Sequence, residues 1–149
     1  MNGACSCPQG YSGPSCATLV TPSKVRISKV KITSFPQYDS GANWDLGDGP
    51  DIYVQIAQGS SIVHEQPGLF EDASVTTDYL YTPSSVIDLT DPTAQYVVRL
   101  YDYDDGITTD DFMGGISFYP YSSTRGFPTT LNLDAGSGVT FELTVSYVW

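Results

Sequence analysis

Two stretches of this chain crowd carboxylates at spacings that suit a hard cation. The first reads Trp44-Asp45-Leu46-Gly47-Asp48-Gly49-Pro50-Asp51-Ile52-Tyr53-Val54. The second runs from Leu100 to Gly114 and places Asp102, Asp104, Asp105, Asp110 and Asp111 within ten residues. Calcium takes six to eight oxygen ligands at about 2.3–2.6 Å, and short carboxylates on loops supply them well. Without a cation, so many like charges within a few ångströms repel one another and loosen their loops. Asp102 and Asp104 lie two apart at the end of an apolar run, so both are expected on one side of a sheet, where they pinch a cation. Transition metals are disfavoured, because His64 is the single histidine and the cysteines lie elsewhere. Catalysis is hard to build without a second histidine, a paired nucleophile or a G-x-S-x-G turn, so no enzyme is expected.

The elements that must hold these loops read as strands. Val139, Phe141, Leu143, Val145, Tyr147 and Trp149 alternate with Thr140, Glu142, Thr144 and Ser146, the pattern of a strand with one buried face. Val25 and Ile27 alternate, and Val30 and Ile32 continue in the other phase, which predicts a bulge near Ser28 or Lys29. Ile52–Ile56 and Ser61–Val63 form a predicted hairpin closed by Gln58-Gly59. Val75, Thr77, Tyr79 and Tyr81 are expected on one face of a further strand. Val86–Leu89 is a short strand, Tyr96–Tyr101 and Met113–Phe118 flank the richer acidic loop, and Leu131 and Leu133 lead to the last strand. No amphipathic helix is expected. The fold class is therefore all-β, an antiparallel two-sheet sandwich of about eight strands with a short N-terminal disulfide-containing segment.

The bulk properties narrow the partners. At 149 residues with 40% hydrophobic and 15% charged residues, the chain suits one globular domain with an appendage. Seventeen acidic against six basic residues give a net charge of −11, which disfavours nucleic acid and anionic lipid. Fourteen of the acids are Asp, the carboxylate that turns and hard cations favour. No apolar run is long enough for a transmembrane helix. Lys24, Arg26, Lys29 and Lys31 form the one basic stretch and read as a solvated face. His64, beside Glu65, reads as a surface residue, and the eleven tyrosines read as sheet packing before sugar stacking.

The cysteines are Cys5, Cys7 and Cys16, and none lies in the main body. Their clustering points to an oxidising, extracellular or cell-surface setting. The opening Met-Asn-Gly-Ala-Cys lacks a basic n-region and an apolar h-region, so no signal peptide is expected and Met1 is read as starting a trimmed or recombinant chain. Residues 5–16, Cys-Ser-Cys-Pro-Gln-Gly-Tyr-Ser-Gly-Pro-Ser-Cys, resemble the second half of an EGF-like repeat, C-x-C-x-x-G-aromatic-x-G-x-x-C. That resemblance implies a Cys7–Cys16 disulfide and an upstream partner for Cys5, which otherwise is a free thiol or a lipid-modified cysteine. The expected division is 1–17 for this segment, 18–24 for a linker and 25–149 for the sandwich.

The two acidic loops resemble those of a C2 domain, the calcium-dependent module of synaptotagmins and protein kinase C. Asp45 and Asp51 have the six-position spacing of that family's first calcium loop, and Pro50-Asp51-Ile52-Tyr53-Val54 is close to its S-D-P-Y-V segment. Asp102 and Asp104 match the D-x-D of its third loop, and Asp111-Phe112-Met113-Gly114 matches the D-x-[IFML]-G that follows, with about one extra residue between them. The resemblance implies calcium as cofactor, with Asp45, Asp51, Asp102, Asp104 and Asp111 as ligands. Asp48, Asp105 and Asp110 are additional ligands, rim charges or ordinary turn residues. Leu46 and Ile107 stand at loop tips, where they either contact a membrane or tuck beneath their own loops.

The function these readings lead to is an extracellular calcium-binding recognition or adhesion module. Its ligand would be a lipid headgroup, a glycan or a protein. The alternatives are a structural subunit that self-associates into a fibre or surface assembly, with calcium stiffening the loops, and a carbohydrate-binding module with a structural calcium. A bacterial surface setting fits the combination.

Overall fold

The computed structural model describes residues 6–44, 48–104 and 109–149. Among them there is no helix. The chain-order strands are β1 (Tyr11–Ser12), β2 (Thr18–Leu19), β3 (Lys24–Ser34), β4 (Tyr38–Asp39), β5 (Ala42–Asn43), β6 (Ile52–Gln58), β7 (Ser61–Glu65), β8 (Tyr79–Tyr81), β9 (Ile87–Leu89), β10 (Tyr96–Asp102), β11 (Asp111–Phe118), β12 (Thr130–Asp134) and β13 (Thr140–Val148). One sheet runs β11-β10-β6-β7 and the other β12-β13-β3-β8, with β9 also paired to β3. All the pairings are antiparallel. Because β8 and β9 pair with successive stretches of β3, they act as one interrupted strand, and the sandwich has the expected eight strand positions.

The core follows from the alternation. Phe141, Leu143 and Val145 of β13 face Val30, Ile32, Val25 and Ile27 of β3 on one inner surface, and Ile52, Val54, Ile56, Tyr96, Val98 and Leu100 line the other. Each such side chain contributes roughly 1.5–3 kcal/mol by leaving water. The predicted bulge is real. Thr144 pairs with Lys29 and Val145 with Ile27, so Ser28 is the extra residue, and it lets Val30 and Ile32 face inward after the change of phase.

Three expectations need correction. The β6–β7 hairpin pairs Gln58 with Ser61, so Gly59-Ser60 makes the turn, and Gly59 takes the positive φ that a two-residue loop requires. Val75 and Thr77 do not extend β8. Ile32 pairs with Tyr79, and although β3 runs on to Ser34, opposite Thr77, the chain leaves the ladder in a turn in which Thr77 N–H donates to Ser74 O at 3.1 Å. His64 is half-buried rather than a plain surface residue. Its Nε2 shares a 2.6 Å hydrogen bond with the Tyr81 hydroxyl, tying one sheet to the other, and burial holds its pKa below the ordinary value.

The basic stretch is also engaged. Lys24 and Arg26 both bind Asp88, at 2.6 and 2.9 Å, and Lys31 binds Asp78 at 2.6 Å. The Lys24 hydrogen bond, joined by Arg26, holds the Asp88 carboxyl below its ordinary value.

The N-terminal segment carries the Cys7–Cys16 disulfide. It lies against the end of β13. Val20 N–H donates to Gly10 O, Ser23 N–H to Val148 O, and Tyr11 meets Phe127 edge-on at 5.7 Å. Phe127 also packs on Tyr121, Tyr147 and Trp149 at 5.2–5.5 Å. Gly10 is required here. A Cβ would fall 2.6 Å from both Phe127 and Trp149, and the backbone has φ +87°.

Candidate metal centre

The acidic loops meet at the sandwich end opposite the N-terminal segment. Strand register brings them there. Asp102, the last residue of β10, pairs with Ile52 of β6 on one side and with Asp111, the first residue of β11, on the other. Asp51, Asp102 and Asp111 thus stand at the same end of three neighbouring strands. Gly114 of β11 allows the loop before β13 to come close, since a Cβ there would lie 2.8 Å from Val139 Cγ2.

Carboxylates organise this end. Asp102 is 1% exposed, and its Oδ1 accepts the Asp51 N–H at 2.8 Å, joining the two acidic segments across 51 positions of sequence. Tyr103 N–H returns a bond to Asp51 O at 2.9 Å. Asp51 Oδ1 in turn accepts the Asp72 N–H at 2.9 Å, and Ala73 N–H donates to Pro50 O at 2.8 Å. A charged acceptor makes such bonds shorter and stronger than neutral ones. Gly49 belongs to the same contact, because a Cβ would meet Ala73 O at 2.5 Å.

The remaining candidates divide. β10 ends at Asp102, so Asp104 stands in the loop beyond, where strand alternation no longer orients it, and it is half-buried. Asp110 is built into the loop. Its Oδ2 accepts the Tyr53 hydroxyl at 2.6 Å and its Oδ1 accepts the Asp104 N–H at 3.3 Å. Burial, followed by that bond, raises the Tyr53 pKa above its ordinary value. Asp111 and Asp48 are exposed, and Asp48 borders a shallow cavity with Trp44, Pro50 and Val75. Asp45, Leu46, Asp105, Ile107 and Cys5 lie outside the described residues.

The donor set is all oxygen and mostly aspartate, the chemistry of a hard cation. Among the described residues, no three His, Cys, Asp or Glu side chains come together as a cage. The participant the sequence did not single out is Asp72, which fixes Asp51 through its backbone. Its signal was the Glu71-Asp72-Ala73-Ser74 run of turn residues, and Asp72 takes φ +50°.

No protein-family model matches the chain, and no curated protein does. Solved structures do. A structure described as that of a C2 domain superimposes with TM-score 0.58 at 14% identity, over 85% of this chain and 98% of that one. The calcium-bound tandem C2 domains of extended-synaptotagmin 2 align at 15% identity and TM-score 0.43, over 85% of this chain and 46% of theirs. A C2-domain protein from Ramazzottius varieornatus aligns at 12% identity and TM-score 0.45, over 86% and 91%. The first of these likenesses shows the fold. The chain is a β-sandwich of the C2 type.

Proposed function

We propose that this chain is an extracellular, non-catalytic recognition module that binds calcium at the acidic end of its sandwich. The observation that supports this is the bond from Asp51 N–H to Asp102, which couples the two aspartate-rich segments at one end of a C2-type fold. Asp45, Asp51, Asp102, Asp104 and Asp111 are the ligands in this reading, with Asp48, Asp105 and Asp110 at the rim. Calcium neutralises a locally unbalanced charge and offers an open coordination position to an oxygen of a lipid headgroup, glycan or protein.

Thermal melting with calcium and with chelator tests the metal. At a hundredfold over its dissociation constant, calcium adds about 2.7 kcal/mol, roughly 5–10 °C in Tm for a domain of this size. Asp104→Asn reduces that shift. A chain whose melting is the same in millimolar calcium and in chelator has no such site.

A second reading, in which calcium only stiffens the loops of a self-associating subunit, draws on the Asp51–Asp72 bond that already knits this end. Calcium-dependent binding to liposomes or glycans supports recognition. Its absence together with concentration-dependent association supports the structural role.

A further inference from the structure

The outer face of the β11-β10-β6-β7 sheet carries groups that the calcium reading does not use. Register places Phe112, Tyr101 and Tyr53 in one row across three strands. Tyr53 stacks on Tyr101 at 5.5 Å, and Phe112 meets Tyr101 edge-on at 5.6 Å. A polar row runs beside them. Arg99 donates to Gln55 at 2.9 Å, and Gln55 donates to Glu65 at 2.8 Å. Where this face meets the loops, a cavity of about 350 Å³ opens between Tyr53, Tyr103, Glu65, Gln66, Leu69 and Asp110. Of the aromatic rings that line it, Tyr103 is 38% exposed and Tyr53 8%.

We propose that this groove binds a neutral oligosaccharide. Exposed aromatic rings are rigid amphipathic surfaces that lose little conformational entropy on contact, and they suit the apolar C–H face of a pyranose ring. Sugar hydroxyls need acceptors and donors beside that face, and Glu65, Gln66 and Asp110 provide them. A carboxylate has about four acceptor positions, so Asp110 accepts from a ligand in addition to its bonds from Tyr53 and Asp104.

Charge selects the class. Glu65 and Asp110 line the cavity and, among the described residues, no Lys or Arg lines it with them, so phosphates and acidic peptides are repelled. The volume falls at the lower end of the roughly 300–1,000 Å³ of small-ligand sites, too small for a folded partner. Glu65 and Gln66, at the end of β7 and just after it, lie outside both acidic stretches, whereas Tyr103 and Asp110 belong to the second, so the groove is tested with calcium removed.

Affinity electrophoresis of the full chain through gels holding laminarin, xylan, glucomannan or mannan, in chelator, tests the proposal. At least one polysaccharide retards the chain. Tyr103→Ala and Glu65→Ala, each shown by circular dichroism to be folded, weaken the retardation at least tenfold, whereas Asp104→Asn leaves it unchanged. Since Asp104→Asn reduces the calcium-induced melting shift, failure of one reading is visible independently of the other. Three results overturn the groove: no retardation in any of the four gels, retardation that both groove variants retain, or binding to zwitterionic phosphatidylcholine vesicles that depends on Tyr103 in place of sugar.

Discussion

The two ends of this sandwich are closed by opposite means. At one end Tyr11, Tyr121, Tyr147 and Trp149 surround Phe127, and a disulfide holds the segment that delivers Tyr11. At the other end, aspartates accept backbone N–H groups from neighbouring loops. Aromatic closure is complete in itself, because apolar burial needs no counter-ion. Carboxylate closure leaves a concentration of like charge that a cation neutralises. The chain thus joins an end that is self-sufficient to one that, on the proposed reading, responds to the cations in solution.

The sharpest way to break the contrast is at the disulfide. Replacing both Cys7 and Cys16 by serine removes a crosslink spanning nine positions, worth about 2–3 kcal/mol by chain entropy. If the segment is part of the sandwich, the main melting transition falls in scanning calorimetry. A transition that does not move marks the segment as an independent spacer and ends the claim of closure at that pole.

Asp102→Ala tests the other end. It deletes the acceptor of Asp51 N–H at a buried position and costs about 2 kcal/mol in chelator, read from urea unfolding. Equal or higher stability would mean that charge repulsion outweighs the hydrogen bond, and the loops are then held by other contacts.

The smallest effect concerns His64, midway between the ends. Burial depresses its folded pKa, so the unfolded chain takes up the proton first. The stability that neutral His64 contributes is full above the ordinary histidine pKa of about 6.5 and is lost as pH falls from there toward the depressed folded value. His64→Gln flattens this limb of a pH titration of unfolding free energy. An unchanged limb would assign the acid sensitivity to the carboxylates.

Much of this architecture was legible in the residues. The alternation of β13 named its buried face directly, and the change of phase between Ile27 and Val30 narrowed the bulge to Ser28 or Lys29, of which the register takes Ser28. Both are local patterns. The spacing of Asp45 with Asp51, and of Asp102, Asp104 and Asp111, pointed to two acidic loops; the register sets Asp51, Asp102 and Asp111 at one end, while Asp45 lies outside the described residues. What stayed hidden depends mostly on contacts distant in sequence. Val75 and Thr77 continue the alternation of Tyr79 and Tyr81, yet Thr77 N–H closes a turn on Ser74 O and the chain leaves β3 there. His64 looked solvated because nothing local reveals that Tyr81 reaches it from the opposite sheet. Likewise, Lys24 and Arg26 read as a free basic face until the pairing of β9 with β3 brought Asp88 between them.

The adjoining ends of β3 and β13 have a practical consequence. Lys24 pairs with Val148, so the chain enters and leaves the sandwich at one pole, away from the aspartates. Any handle fixed at either port, whether a resin, a fluorophore or a fused protein, therefore mounts the molecule with its acidic pole facing outward. In immobilised binding assays the orientation is set by the topology, and the surface chemistry does not need to choose it.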